Sequence, residues 1–274
     1  MANPMDSGPM DSGSMDRGAH PTFVIIGAQK SATRWLRINL GHHPEIFTAQ
    51  SELHFWNNGH RVEKLGVEWY ADQFEGWNRE PIVGEATPGY MFWRHHPEQV
   101  AQRMKHHRPD LKVIAILRNP VDRAQSALMH QIRRQRIPSG TRLVEAVREW
   151  GAPESEWFCL VSGGWYAASL APYAEHLGDQ LLVLFHDDVT ANPARPFRAA
   201  LEHVGADPDF APPELSRVVF SNQRGRAGRK NQLTIADRIE LWEYFRDDVA
   251  RLEQMFGVDL AHWAPDVAAA ASGE

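Results

Sequence analysis

Apolar residues fall along this chain in two alternating rhythms. Nearly unbroken runs occur at Phe23–Ile26, Leu111–Leu117 and Leu181–Phe185, with shorter ones at Ile46–Thr48 and in the stretch from Pro81 to Glu85. Short apolar runs rich in β-branched residues predict strands buried on both faces, as in a parallel sheet. Between them, apolar positions recur every three or four residues. That spacing predicts amphipathic helices over Arg34–Leu40, Val67–Phe74, Pro97–His107, Val121–Arg136, Arg142–Trp150, Trp165–Leu177, Pro193–Val204 and Thr234–Phe256. Strands alternating with helices predict a single α/β domain, a central parallel sheet flanked by helices on both faces. A ligand of such a sheet belongs at the carboxyl ends of its strands.

The ends of the chain break the pattern. Met5-Asp-Ser-Gly, Met10-Asp-Ser-Gly and Met15-Asp-Arg-Gly repeat within residues 1–20, which read as a disordered tail because they cannot bury enough apolar area to offset their ordering entropy. The domain is expected over 21–264, followed by a frayed tail over 265–274.

The first strand leads into the stretch that carries the chemistry. Gly27-Ala-Gln-Lys-Ser-Ala-Thr33 is a narrow loop between a strand and a helix. Its backbone N–H groups can turn inward and hold an anion at the positive end of the helix dipole. Lys30 adds a cation, and Ser31 and Thr33 add hydroxyls, so the loop suits a phosphate-like group. It is not a Walker A loop, because the second glycine directly before the lysine is absent.

Gly27-Ala-Gln-Lys-Ser-Ala-Thr-Arg34 followed by Trp35-Leu36 resembles the 5′-phosphosulfate loop of sulfotransferases that use 3′-phosphoadenosine 5′-phosphosulfate (PAPS). Within that family the likeness is to the heparan-sulfate and carbohydrate branch, as a soluble bacterial-type member. The resemblance implies a P-loop-like strand-loop-helix with Lys30, Ser31, Ala32, Thr33 and Arg34 on the 5′-phosphosulfate. It also implies that Glu52, in Ser51-Glu-Leu-His-Phe-Trp56, is the catalytic base. A carboxylate beside Phe55 and Trp56 would be partly desolvated, which suits that task. His54 is the competing base, as in other branches.

Arg118 and Ser126, eight positions apart, match the pair that binds the 3′-phosphate in that branch. An arginine fork grips phosphate bidentately, and Pro120 starts the helix that bears the serine. Arg123 reads as an ion-pair partner of Asp122 or a solvated residue. Arg224-Gly225-Arg226 matches a Lys-Gly-Arg segment that folds over the cofactor phosphates, with Arg replacing Lys. The branch carries a lysine where this chain has Ala86, so the acceptor is not carried over. Glu85 either serves the site, as a second acid-base or acceptor-binding group, or only braces its loop. Trp56, Trp93, Trp165 and Tyr166 either line the acceptor pocket or fill the core.

Composition narrows the picture. A net charge of −6 does not indicate a nucleic-acid surface, so basic sites must be local. One cysteine, Cys159, allows no intrachain disulfide and suits a reducing compartment. No apolar run reaches the length of a membrane span, and no secretory segment appears, so the expected location is the cytoplasm. The paired histidines His95-His96 and His106-His107 lack zinc-site spacing, and no metal is implied. The expected reaction is sulfuryl transfer from PAPS to a hydroxyl of a carbohydrate or a glycosylated small-molecule or natural-product acceptor. The alternatives are a P-loop-type ATP-dependent small-molecule kinase and a catalytically inactive nucleotide-binding protein.

Overall fold

The structure is a computed structural model that describes residues 19–149, 158–216 and 232–266, without the side chain of Trp93. Five strands form one sheet in the order β2-β3-β1-β4-β5. They are β1 (Phe23–Gly27), β2 (Ile46–Thr48), β3 (Ile82–Ala86), β4 (Lys112–Leu117) and β5 (Leu181–Phe185). Every neighbouring pair is parallel.

Both faces are covered, as the unbroken apolar runs predict. In β1, Val24 and Ile26 join one buried cluster while Phe23 and Ile25 join the other. In β4, Val113, Ala115 and Leu117 share the first cluster and Ile114 and Ile116 the second. Helix α1 (Thr33–Leu40) packs on the second face, together with α8 (Ala194–Val204) through Phe197, Ala200, Leu201 and Val204. The first face carries α2 (Gly66–Asp72), α3 (Pro97–His107), α4 (Pro120–Arg133), the helical residues 143–149 (α5) and α6 (Tyr166–Leu177). A π-helical turn, Arg61–Leu65, precedes α2. At Gly84 a Cβ would lie 2.3 Å from the Phe23 ring, so glycine lets β3 close against β1.

Three local expectations are corrected. The single helix read over Thr234–Phe256 is two, α9 (Ile235–Trp242) and α10 (Arg246–Phe256). Between them Tyr244 N donates to Leu241 O and Phe245 N to Trp242 O, a tighter winding that turns Phe245 into the core. The break places Asp248 at the start of α6, where its carboxylate accepts from Ala167 N at 2.9 Å and Ala168 N at 3.0 Å. Next, the stretch between the predicted strand Leu181–Phe185 and the predicted helix Pro193–Val204 is not plain connection: His186-Asp187-Asp188 opens a short helix, α7 (His186–Ala191). Finally, Arg123 is neither paired with Asp122 nor solvated. It is fully buried and donates to the carbonyls of Cys159 and Leu160, while Asp122 pairs with Arg238 at 2.7 Å.

The strand order sets the site. β1 is central, with β3 on one side and β4 on the other, and the chain runs first to one edge and later to the opposite one. The carboxyl end of β1 is therefore flanked by residues leaving β3 and β4, at the crevice where open α/β sheets bind ligands.

Candidate active site

The loop after β1 has the shape its small residues predict. Lys30 and Ala32 both take left-handed backbone angles, with φ of 74° and 75°. Ala32 leads directly into the right-handed residues of α1, and a left-handed residue beside a right-handed one turns successive N–H groups to one side, as in an anion nest. Non-glycine residues hold such angles only where the surroundings enforce them, and such residues cluster at functional sites. Ala28 N is tied to Ile116 O of β4 at 2.8 Å and Ser31 N to Ala28 O at 3.1 Å. Ala32 caps α1 with no side-chain hydrogen bond, so the first amides of this helix face the nest uncapped. Ser31 is fully buried, its hydroxyl beside the Tyr166 phenol.

Lys30 stands over this loop with no ion pair among the described residues. Burial, then Arg133 and Arg118 nearby, lower its pKa to about 8. Arg118 leaves β4 half-buried, and its Nη1 donates to Lys30 O at 3.4 Å. The strand end that supplies the arginine thus meets the loop that supplies the lysine. Ser126 is buried on α4, six residues beyond Pro120. Two histidines that sequence reasoning missed flank these cations. His130 is lowered to about 4 by burial and then Lys30, and His186 to about 4 by burial and then Arg118. Neither sits in a motif that marks it; each comes in from a separate element.

Glu52 and His54 lie on the loop beyond β2. The Glu52 side chain is 56% exposed, and its Oε2 is 3.3 Å from His54 Nε2. The expected desolvation by Phe55 and Trp56 does not occur, because both rings turn into the core and are fully buried. Trp56 donates to Tyr70 Oη at 3.3 Å and packs edge-on against Phe55 and Tyr70. It has no surface to offer an acceptor and, of the two readings, fills the core.

Glu85 is likewise not open to an acceptor. It is fully buried and takes three hydroxyl donors: Thr87 at 2.5 Å, Tyr90 at 2.6 Å and Tyr70 at 2.9 Å. Burial raises its pKa, opposed by those three bonds. The same hydroxyls accept from the loop that bears Glu52: Leu53 N donates to Thr87 Oγ1 at 3.0 Å and Phe55 N to Tyr90 Oη at 3.1 Å. Glu85 therefore braces that loop from beneath. Tyr166 also braces: fully buried, it donates to Arg118 O at 2.7 Å and fixes the strand end that presents the arginine. Arg224, Gly225 and Arg226 lie outside the described residues.

An all-parallel α/β sheet whose first strand leads through a narrow loop, with a half-buried lysine and an arginine beside it, into a helix places the protein in the P-loop-like class. The sulfotransferase domain family matches residues 20–251, and the chain belongs to that family. It is 30% identical over 188 residues to the heparan sulfate glucosamine 3-O-sulfotransferase 3B1 of Mus musculus, covering 68% of this chain and 46% of that protein. It is 27% identical to the bifunctional heparan sulfate N-deacetylase/N-sulfotransferase 4 of Mus musculus, covering 89% of this chain and 31% of that protein. The chain thus spans less than half the length of either relative. Among solved structures, a sulfotransferase from Alicyclobacillus acidocaldarius superposes with a TM-score of 0.71 at 29% identity, covering 89% of this chain and 99% of that one. Mouse sulfotransferase SULT7A1, solved complexed with PAP, shares the fold at a TM-score of 0.51 and 17% identity, covering 89% of this chain and 92% of that one. Among the described residues no helix is long and apolar enough to cross a membrane. No group of three or more metal-ligating side chains occurs there either.

Proposed function

We propose that this protein transfers a sulfuryl group from PAPS to a hydroxyl of a carbohydrate or a glycosylated small molecule. The observation that carries the reading is the meeting of the Lys30 nest with Arg118, linked at 3.4 Å. It offers backbone donors and two cations to a ligand with more than one anionic group. The family match and the heparan-sulfate relatives support both donor and acceptor class. When bound, PAPS supplies an electrophilic sulfur and a phosphate leaving group.

The chain's residues divide the work. The amides of residues 30–34, with Ser31, Thr33 and Arg34, hold the 5′ end. Lys30 offsets charge on the transferred group and on the leaving oxygen. Arg118 and Ser126 hold the 3′-phosphate, and Arg224, Gly225 and Arg226 close over it. Glu52 takes the proton of the attacking hydroxyl. The exposure of Glu52 leaves room for a large acceptor, which favours a glycan over a small buried phenol. The single cysteine, buried in the fold, supports a cytoplasmic placement.

Calorimetry with adenosine 3′,5′-bisphosphate tests the reading. Wild-type protein binds it without added Mg²⁺, and Arg118→Ala weakens binding at least tenfold. Absence of heat in the wild type, or preferential Mg²⁺-dependent binding of ATP, overturns it. A screen of radiolabelled sulfate transfer across glycans and glycosylated metabolites then identifies the acceptor.

A further inference from the structure

The 3₁₀ turn Ala261–Trp263 brings the chain back from α10 to the carboxyl ends of β4 and β5. On the α10 side it is anchored by Leu260 N, which donates to Glu253 Oε1 at 2.7 Å. At the strand ends it makes three kinds of contact. Trp263 Nε1 donates to Asp187 Oδ2 at 2.6 Å, and His262 Nε2 lies 3.1 Å from the same oxygen. The buried Trp263 ring meets Phe185, the last residue of β5, and Tyr166, the first of α6, edge-on at 6.0 and 6.2 Å between centroids. Trp263 O accepts from Asn119 Nδ2 at 2.8 Å.

These partners converge on one residue. Leu117 stands opposite Phe185 in the parallel register, so Arg118 leaves β4 where His186 and Asp187 leave β5. Tyr166, held by the Trp263 ring, donates to Arg118 O at 2.7 Å. Asn119, held by the Trp263 carbonyl, follows Arg118 directly, and its Oδ1 caps α4 by accepting from Val121 N at 3.0 Å and Asp122 N at 3.4 Å. The nearby carboxylates are engaged elsewhere. Asp187 is taken by Trp263 and His262, and Asp122 by Arg238 at 2.7 Å. Among the described residues Arg118 has no carboxylate partner, so its fork stays open to an anion.

We propose that Trp263 and Asp187 are positioning residues for Arg118: the turn that bears Trp263 is a latch across the ends of β4 and β5, which aims the guanidinium at the 3′-phosphate of the donor nucleotide. A bidentate grip on phosphate depends on the direction of the fork as well as on its charge. A long side chain keeps that direction only when the backbone that carries it is fixed by its surroundings. The latch supplies this from the far end of the chain, and it occupies the carboxylate that would otherwise compete for the arginine. The proposal rests on the sulfotransferase reading and deepens it by adding residues that select for the 3′-phosphate.

Calorimetry on the full chain with two probes tests it: adenosine 3′,5′-bisphosphate, and adenosine 5′-monophosphate, which lacks the 3′-phosphate. Trp263→Leu should weaken the bisphosphate about fivefold or more, the scale of a misaligned charge-assisted hydrogen bond, and leave the monophosphate within about twofold. A purely structural tryptophan would weaken both alike. In an Arg118→Ala background, Trp263→Leu should cost the bisphosphate nothing further, because the two residues act through one contact. An unchanged ratio of the two affinities overturns the proposal, as does a full additional loss in the double variant. If Trp263→Leu does not fold, Trp263→Phe decides by the same ratio, since it keeps a ring and removes the N–H that reaches Asp187. A wild-type chain that binds neither nucleotide sinks the sulfotransferase reading and the latch together; a wild type that binds the bisphosphate, with the ratio unmoved in the variants, sinks the latch alone.

Discussion

The hydroxyl of Thr87 donates to Glu85 Oε2 over 2.5 Å and at the same time accepts the amide hydrogen of Leu53. A fully buried carboxylate is thus wired, through one hydroxyl, to the backbone beside Glu52. Tyr90 repeats the arrangement two residues further along the same loop. Glu85→Gln puts an NH₂ group against hydroxyls whose acceptor lone pairs are already used by Leu53, Phe55 or Trp56. The variant should lose roughly 1–3 kcal/mol of stability, the usual cost of a mismatched buried polar group. Turnover should fall while affinity for adenosine 3′,5′-bisphosphate stays within twofold, because the anion nest is built separately. Chemical denaturation and calorimetry check the two halves.

Glu52→Gln keeps the size of the side chain and its place 3.3 Å from His54 while removing the basic oxygen. General-base catalysis contributes about 10²- to 10⁴-fold, so turnover should drop by that order. Bisphosphate binding should not change, because Glu52 has no part in holding the two phosphates. A variant with wild-type turnover would remove Glu52 from the mechanism.

What the sequence made legible follows from how local each feature is. The β1 loop, with Lys30 and Ser31, is written in one continuous stretch, and so is the path from β4 through Arg118 to Ser126. The fates of Glu85, Trp56 and Tyr166 are not. Whether a side chain on or beside a strand faces ligand or core depends on parallel register between strands far apart in the chain, such as Val24 opposite Glu85. An aromatic next to a candidate base therefore looks the same in sequence whether it lines a pocket or, as with Phe55 and Trp56, fills the core. Trp263 and Asp187 are silent for the same reason, since their meeting depends on the end of the chain returning to β5.

The break between α9 and α10 was hidden by apolar spacing that continues through it, yet it carries a measurable load. Asp248 is buried and caps α6 through two backbone donors. Removing an N-terminal cap costs about 0.5–2 kcal/mol. Asp248→Ala should lower the urea midpoint accordingly without changing the slope, and Asp248→Asn, which keeps one acceptor oxygen, should cost less. Equal losses for the two variants would mean that the carboxylate's charge matters more than its hydrogen bonds.

Lys30 supplies the sharpest pH prediction. Its pKa falls from 10.5 to about 8, first because of burial and then because of Arg133 and Arg118. In the unfolded chain an ordinary lysine keeps its proton to about 10.4. Between roughly pH 8 and that value the unfolded state binds more protons than the folded one, so this group makes stability rise with pH across the window. Ligand binding runs the other way. A bound phosphate restores a counter-charge, favours the ammonium form and raises the pKa again. Bisphosphate affinity should therefore weaken above about pH 8, with proton uptake on binding between pH 8 and 9. Lys30→Met should remove both the uptake and the stability gradient, melt at a higher temperature than the wild type near pH 7, and lose turnover. Calorimetry in buffers of different ionisation enthalpy measures the uptake directly. An absence of proton uptake at pH 8.5 in the wild type would mean that Lys30 does not face the bound anion.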